Sequence, residues 1–422
     1  MNILVFPCGS EIGLEVFESL KFTKDINLIG GSSVSDHGKF TFKKYYGNFP
    51  FVNDKKFIPF VKKFVKDKKI NFIYPCMDSV LYMLKKHEKE INCKILTSDL
   101  QTTEICLSKE KTYEKLKNII PIPKCYKNIE CVKNYPVYLK PKIGYGTRNH
   151  FLAKTKEEAE VFLKNNKNYL ILEYLNGKEY TIDCFTDKKN NLIFINGRER
   201  ARITNGISTN IKITNNKNFK LIARKINKTL KFNGAWFFQL KEDSKGKLKL
   251  LEIAPRIAGS SGICKYLGAN LPELNILNEI YNKITIQKQN LKIETDRALK
   301  TKSIVKLNFK YVYIDLDDTI IINEKTINTN MIKLIFQFIN ENKKIILISK
   351  HKKNIIKTLE KYRIKNIFDK IIHLKSSDKK SNYIEHKNSI FIDDSFQERI
   401  EVFKKNKIHT FSVSSSECFL NS

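Results

Sequence analysis

The chain has 422 residues, 41% of them hydrophobic, and carries 77 lysines and arginines against 44 aspartates and glutamates, a formal charge of +33. This length and apolar content exclude a disordered tail and suggest two to four domains of about 100–200 residues each. No apolar run approaches the roughly 18–20 residues needed to cross a bilayer, which argues against a membrane protein and for a cytoplasmic one.

The excess charge is nearly all lysine, spread along the chain, while arginine, the bidentate reader of phosphate, is scarce. Solvated lysine faces are therefore expected rather than a nucleic-acid surface, which would cluster its cations. Nine cysteines show no CxxC spacing and mostly lie in apolar stretches, so they read as free thiols in a reducing compartment.

In chain order, "NILVFP" reads as a buried strand and "CGSEIGLEVFESLK" as a glycine turn running into a helix. "INLIGG" and "INFIYPCMDSVLYMLKKH" repeat the strand–helix alternation, so residues 1–100 are expected to form a parallel-sheet domain. "LSKEKTYEKLKNIIPIPKCY" then opens a strand-rich α+β region that extends over 101–290. A polar connector is expected over 291–308, before strand–helix alternation resumes at "YVYIDLDDT" and continues over 309–422.

In "YPVYLKPKIGYGTRNHFLA", Lys140 ends a strand, Lys142 follows, and Gly144 and Gly146 lie in a loop. Glycines let a backbone close over an anion, and a strand-end lysine supplies charge to it, although a plain hairpin with surface lysines would look the same. Further on come Glu173 and Glu179, then Arg198 and Arg200 in "GRERARITNG", then "GAWFFQLKEDSKGKLKLLEIAPRIAGSSG". The last stretch reads as a hairpin that sets Gln239 beside Glu252, two oxygen donors of the kind Mg²⁺ needs when nucleotide phosphates complete its shell.

In this order and spacing, residues 1 to 290 resemble the ATP-grasp superfamily, in particular its carbamoyl-phosphate-synthase-like and D-alanine-ligase-like carboxylate ligases. The resemblance implies a parallel-sheet pre-ATP-grasp domain followed by an ATP-grasp domain, with ATP and Mg²⁺ as cofactors. Lys109 and Lys140, with Lys142 and the loop of Gly144 and Gly146, would hold the nucleotide phosphates. Glu173 would mark the adenine hinge, Glu179 the ribose, Gln239 and Glu252 the metal, and Arg256 the transferred phosphoryl group. Ala254 stands where that family usually has a metal-binding asparagine. The implied chemistry is ATP-driven activation of a small carboxylate to an acyl phosphate, then attack by an amine. Arg198, Arg200, Ser208 and Ser260 are candidates to grip the substrates, because guanidinium forks and hydroxyls bind carboxylates.

The C-terminal strands end in chemistry-bearing residues: "IDLDDT" supplies Asp315 and Asp317, "KKIILISKH" supplies Ser349, and "NSIFIDDSFQER" supplies Asp393 and Asp394. Parallel strands would gather these along one sheet edge, where open α/β proteins bind ligands. Two carboxylates so close require a cation or a proton between them. The set resembles the haloacid-dehalogenase-like (HAD) phosphohydrolases, with a Rossmann-like fold. That resemblance implies Asp315 as nucleophile, Asp317 as general acid and base, and Ser349 and Lys380 as phosphoryl holders. Lys375 and Lys379 lie near enough to compete with Lys380. Asp315, Asp317 and Asp393, aided by Asp394, would hold Mg²⁺, and Thr319 would shape the loop. The intervals between the motifs leave no space for a large cap.

The expected whole is a bifunctional ligase and phosphatase acting on small-molecule carboxylates, amines and a phosphorylated compound, with a homodimer as one assembly open to it. The alternatives are a nucleic-acid end-processing phosphatase and a ligase whose HAD module is non-catalytic. The first is disfavoured by the lack of interleaved aromatic and basic residues.

Overall fold

β1 (Asn2–Phe6) is apolar on both faces because it is the centre of a parallel sheet, where helices cover both sides. Its partners are β2 (Asn27–Gly31), β3 (Lys44–Tyr46), β4 (Phe72–Pro75) and β5 (Lys94–Ile95), in the order β3-β2-β1-β4-β5. Ile3 stands opposite Leu28 on one side and Phe72 on the other. The chain turns from β1 into the helix Glu11–Leu20, whose N-cap Ser10 accepts a 3.0 Å hydrogen bond from the Gly13 amide. A Cβ on Gly13 would lie 2.5 Å from the Cys8 carbonyl oxygen, so only glycine allows helix and turn to approach this closely.

Two antiparallel sheets follow. The smaller comprises β6 (Cys125–Tyr126), β7 (Val137–Pro141), β8 (Phe151–Ala153) and β9 (Tyr169–Glu173), ordered β6-β9-β7-β8. The larger comprises β10 (Glu179–Thr186), β11 (Leu192–Thr204), β12 (Ile207–Ile213), β13 (Gly234–Glu242), β14 (Leu248–Ala254) and β15 (Glu294–Asp296), ordered β14-β13-β10-β11-β12-β15. One core packs the helix Lys217–Thr229 on the larger sheet, where the Trp236 ring stacks on Phe232 at 4.0 Å. β15 lies inside the stretch expected as a connector: Glu294, Thr295 and Asp296 pair with β12 and cover its open edge. The stretch lacks the apolar alternation that would mark a strand; the exposed backbone of β12 supplies the pairing instead.

The computed structural model describes residues 1–144, 149–298, 303 and 305–420. The chain divides into two units, Met1–Leu299 and Lys300–Ser422. The second unit is a parallel sheet of β16 (Tyr311–Ile314), β19 (Lys344–Ser349), β20 (Lys370–His373), β21 (Ser389–Ile392) and β22 (His409–Phe411), in the order β20-β19-β16-β21-β22. The helix Thr329–Asn340 packs on one face and Phe396–Asn406 on the other. Between β16 and β19 stand only that first helix and a hairpin of β17 (Ile321–Ile322) and β18 (Thr326–Ile327). Among the described residues no helix is long and apolar enough to cross a membrane.

Candidate active site

In the first unit, strand ends converge on a cleft. Lys140 comes from β7, Glu173 from the end of β9, Glu179 from the start of β10, and Gln239 and Glu252 from register partners on β13 and β14. A cavity of about 130 Å³ is lined by these residues with Tyr138, His150, Leu172 and Arg200. A wider cavity of about 430 Å³ shares Arg200, Gly206, Gln239 and Glu252 with it and extends past Ser208 and Ser260 to Glu11 and Asp78.

Lys140 is 5% exposed, and its Nζ donates to the Leu251 carbonyl at 3.1 Å. Burial lowers its pKa to about 8, against the opposing pull of Glu252. Lys109, also buried, donates to the Gly144 carbonyl at 2.6 Å, and burial lowers its pKa too. Lys142 turns to Glu110 at 2.7 Å, while Gly146 lies outside the described residues. Glu173 accepts from the Lys124 amide and from Lys249 Nζ, both at 2.6 Å, so its carboxylate is held at the cleft wall. Glu179 accepts from Arg200, which also donates to Ser208 at 2.7 Å and to Gln239 at 3.2 Å. Ala254 offers no side-chain ligand atom, and it lines a small recess with Lys109 and Arg256.

Arg256 forms a bidentate pair with Asp78, at 2.7 and 2.6 Å, 178 positions away in sequence. Asp78 begins the helix after β4, and no motif marks it; its place beyond the C-terminal end of a parallel strand is the one signal that points to it. Nor does any motif mark His150. Its Nδ1 is 3.0 Å from the Tyr138 hydroxyl, its Nε2 is buried without a partner among the described residues, and burial lowers its pKa to about 4, so it is neutral.

Arg198, expected at the substrates, instead lies fully buried. Its guanidinium holds Asp183 at 2.5 and 3.2 Å and donates to Ser260 at 2.5 Å. It shares a strand face with Arg200, but the loop of Ser260 covers it, so it supports that loop rather than facing the cleft. Removing one partner of a buried pair strands the other charge at a cost of about 3–5 kcal/mol. Arg198→Met is therefore expected to destabilise the first unit by about that amount. Trp236, the single tryptophan and 1% exposed, lets urea unfolding followed by fluorescence read that unit alone.

In the second unit Asp315, Ser349 and Asp393 all lie at the C-terminal ends of neighbouring parallel strands and are 4%, 1% and 0% exposed. Lys380 bridges the acids, with Nζ 2.6 Å from Asp315 Oδ1 and 2.7 Å from Asp393 Oδ2. Of the three candidate lysines it alone is buried. Burial raises the Asp315 pKa to about 7 despite Lys380. Asp315, Asp393 and Asp394 bring ligand oxygens within 4.8 Å of one another. Asp317, expected among the metal ligands, is not in that group. β16 has ended before it, so strand alternation no longer aims its side chain, and its carboxylate meets His351 Nδ1 at 2.8 Å and Ser349 Oγ at 3.5 Å. His351, itself hydrogen-bonded to Thr358 at 2.9 Å, has only its place two residues after the strand-end Ser349 to distinguish it from ordinary polar sequence. The Thr319 hydroxyl accepts from the Asp394 amide at 3.1 Å.

Residues 165–300 match the sequence family described as ATP-grasp in the biosynthetic pathway with Ter operon. The D-alanine–D-alanine ligase of Fusobacterium nucleatum is 31% identical over 90 residues, which is 21% of this chain and 31% of that one, so the match spans about a third of the ligase's length. Among solved structures, the biotin carboxylase domain of Hydrogenobacter thermophilus 2-oxoglutarate carboxylase, in complex with MgADP and bicarbonate, superposes with a TM-score of 0.58 at 15% identity, covering 69% of this chain and 72% of that one. N5-carboxyaminoimidazole synthetase from Staphylococcus aureus, complexed with ADP, gives 0.56 at 16%, covering 68% and 78%. The L-amino acid ligase of Bacillus licheniformis gives 0.52 at 16%, covering 66% and 73%. The chain therefore carries the ATP-grasp fold, and its likenesses are to ATP-grasp carboxylate ligases.

Proposed function

We propose that the first unit is an ATP-dependent carboxylate–amine ligase and the second an aspartyl-phosphate phosphohydrolase of the HAD type. The ligase reading is carried by one observation: the buried cation of Lys140 and the oxygen donors of Gln239 and Glu252 line a single cleft between two sheets. This donor set fits a nucleotide with Mg²⁺, because lysine supplies charge to phosphate oxygens and a side-chain amide with a carboxylate suits a hard cation. Bound there, Mg²⁺ would offset charge on the phosphates.

Lys109 and Lys140 would orient the nucleotide, with Glu173 and Glu179 along its adenine and ribose side. The carboxylate oxygen of the substrate attacks the γ-phosphorus and ADP leaves, giving an acyl phosphate. An amine then attacks the carbonyl carbon, phosphate departs, and the amine's proton goes to solvent or base. Arg200 is the best-placed cation for the acceptor, since it lines both cavities; Arg256, held by Asp78, lines the wider one. The test is ADP release with ATP, Mg²⁺ and panels of acids and amines. Release that requires a particular acid supports the reading, whereas release indifferent to every acid overturns it.

The phosphatase reading rests on Lys380 bridging Asp315 and Asp393. Asp315 would attack the phosphorus of a phosphate monoester while Asp317 protonates the departing alcohol oxygen. Water, losing its proton to Asp317, would then attack the phosphorus of the aspartyl phosphate, releasing phosphate and the free Asp315 carboxylate. The oxygens of Asp315, Asp393 and Asp394 suit Mg²⁺, which would neutralise the phosphoryl oxygens when bound.

A further inference from the structure

Beside Asp317 lies a cavity of about 250 Å³, walled on one side by Ile321 and Glu324 of the β17–β18 hairpin and on the other by His351, Lys357, Lys361 and Tyr362. Lys357 and Lys361 are four apart in the helix Ile355–Lys361, so they lie on one face of it. Glu324 is already engaged, because Lys353 pairs with its carboxylate and the Tyr362 hydroxyl donates to its carbonyl at 2.7 Å. Among the described residues Lys357 and Lys361 have no carboxylate partner, and Lys361 Nζ sits 5.2 Å from the Tyr362 ring centre. Asp317, the other acid of the lining, is held at its rim by His351.

The acid that protonates a leaving oxygen must touch the leaving group. Asp317 faces this cavity, so the alcohol half of a phosphate ester on Asp315 would enter it and meet two unneutralised lysines. Resting on the phosphatase reading above, we propose that the substrate is a small phosphate monoester whose alcohol half bears a second anionic group, a carboxylate or another phosphate, read by Lys357 and Lys361. The hairpin wall and the size of the cavity favour a small molecule over a nucleic-acid strand, which needs a long open groove.

Three two-carbon esters test this: ethyl phosphate, phosphoglycolate and ethanediol bisphosphate, each assayed by phosphate release with Mg²⁺ on the full chain. The expected result is a kcat/KM at least about tenfold above ethyl phosphate for one of the anionic esters, the size of one good charge-assisted contact. Which of the two is favoured identifies the group. In Lys357→Gln/Lys361→Gln the preference should collapse toward unity, while Lys387→Gln, an exposed lysine away from the cavity, should keep it. Equal rates on all three esters, with an aryl phosphate still hydrolysed in an Asp315-dependent manner, would refute the anionic group and leave the phosphatase standing. A preference that survives in the double variant, or an oligonucleotide 3′-phosphate preferred to every small ester, also refutes it. No Asp315-dependent turnover of any ester overturns both the phosphatase reading and this inference.

Discussion

Asp315→Asn is expected to lower phosphate-ester hydrolysis by about three orders of magnitude or more, since a nucleophile that acts with its neighbours as one unit cannot be partly replaced. The amide has nearly the same shape but cannot form the mixed anhydride. The fold should tolerate it, because Lys380 keeps its 2.7 Å contact with Asp393. Stability adds a second readout. Burial raises the Asp315 pKa above its unfolded value to about 7, so the folded state holds a proton that the unfolded state has lost between roughly pH 4 and 7. Stability from this group is therefore present at low pH and falls as pH rises through that window. The asparagine variant should lose that slope, which thermal unfolding followed by circular dichroism across the range can check. Unchanged hydrolysis would remove Asp315 from the mechanism.

Lys140→Met should weaken nucleotide binding by about ten- to a hundredfold, the weight of a hydrogen bond to a charged group in a buried site. It should at the same time stabilise the nucleotide-free protein at neutral pH. The wild-type lysine is charged there although burial has lowered its pKa from 10.5 to about 8, so the folded state carries a cation that its surroundings disfavour. The unfolded chain binds more protons than the folded one between about pH 8 and 10.5, and wild-type stability rises through that window; methionine abolishes the rise. Nucleotide titration and Trp236 fluorescence during urea unfolding measure the two effects separately. A variant that binds nucleotide as well as the wild type would disconnect Lys140 from the site.

These opposite effects explain why the lysine stands out in the amino-acid sequence. A charge placed at the end of an apolar strand, just before a glycine-bearing loop, is unfavourable for folding and so points to a ligand. The acids and hydroxyl that end β16, β19 and β21 stand out as well, because the period of a strand and the edge where it stops are written in local sequence. Strand alternation stops with the strand, however, and the side chains just beyond obey tertiary contacts. Asp317 therefore turns to His351, leaving Asp394 to complete the acidic group with Asp315 and Asp393.

The sequence by itself determined the strands of apolar pattern, though not β15, and that the acids and hydroxyl ending β16, β19 and β21 would gather along one sheet edge. Only the tertiary structure decided which cations line a cavity. Arg198 and Arg200 stand two apart on β11 and share a face, yet a loop some sixty positions later buries the first against Asp183, while the second opens on two cavities. The pairing of Arg256 with Asp78 and of β15 with β12 is likewise long-range. Such choices depend on which distant surface covers a residue, and dielectric and hydrogen-bond partners follow from that cover rather than from neighbours in the chain.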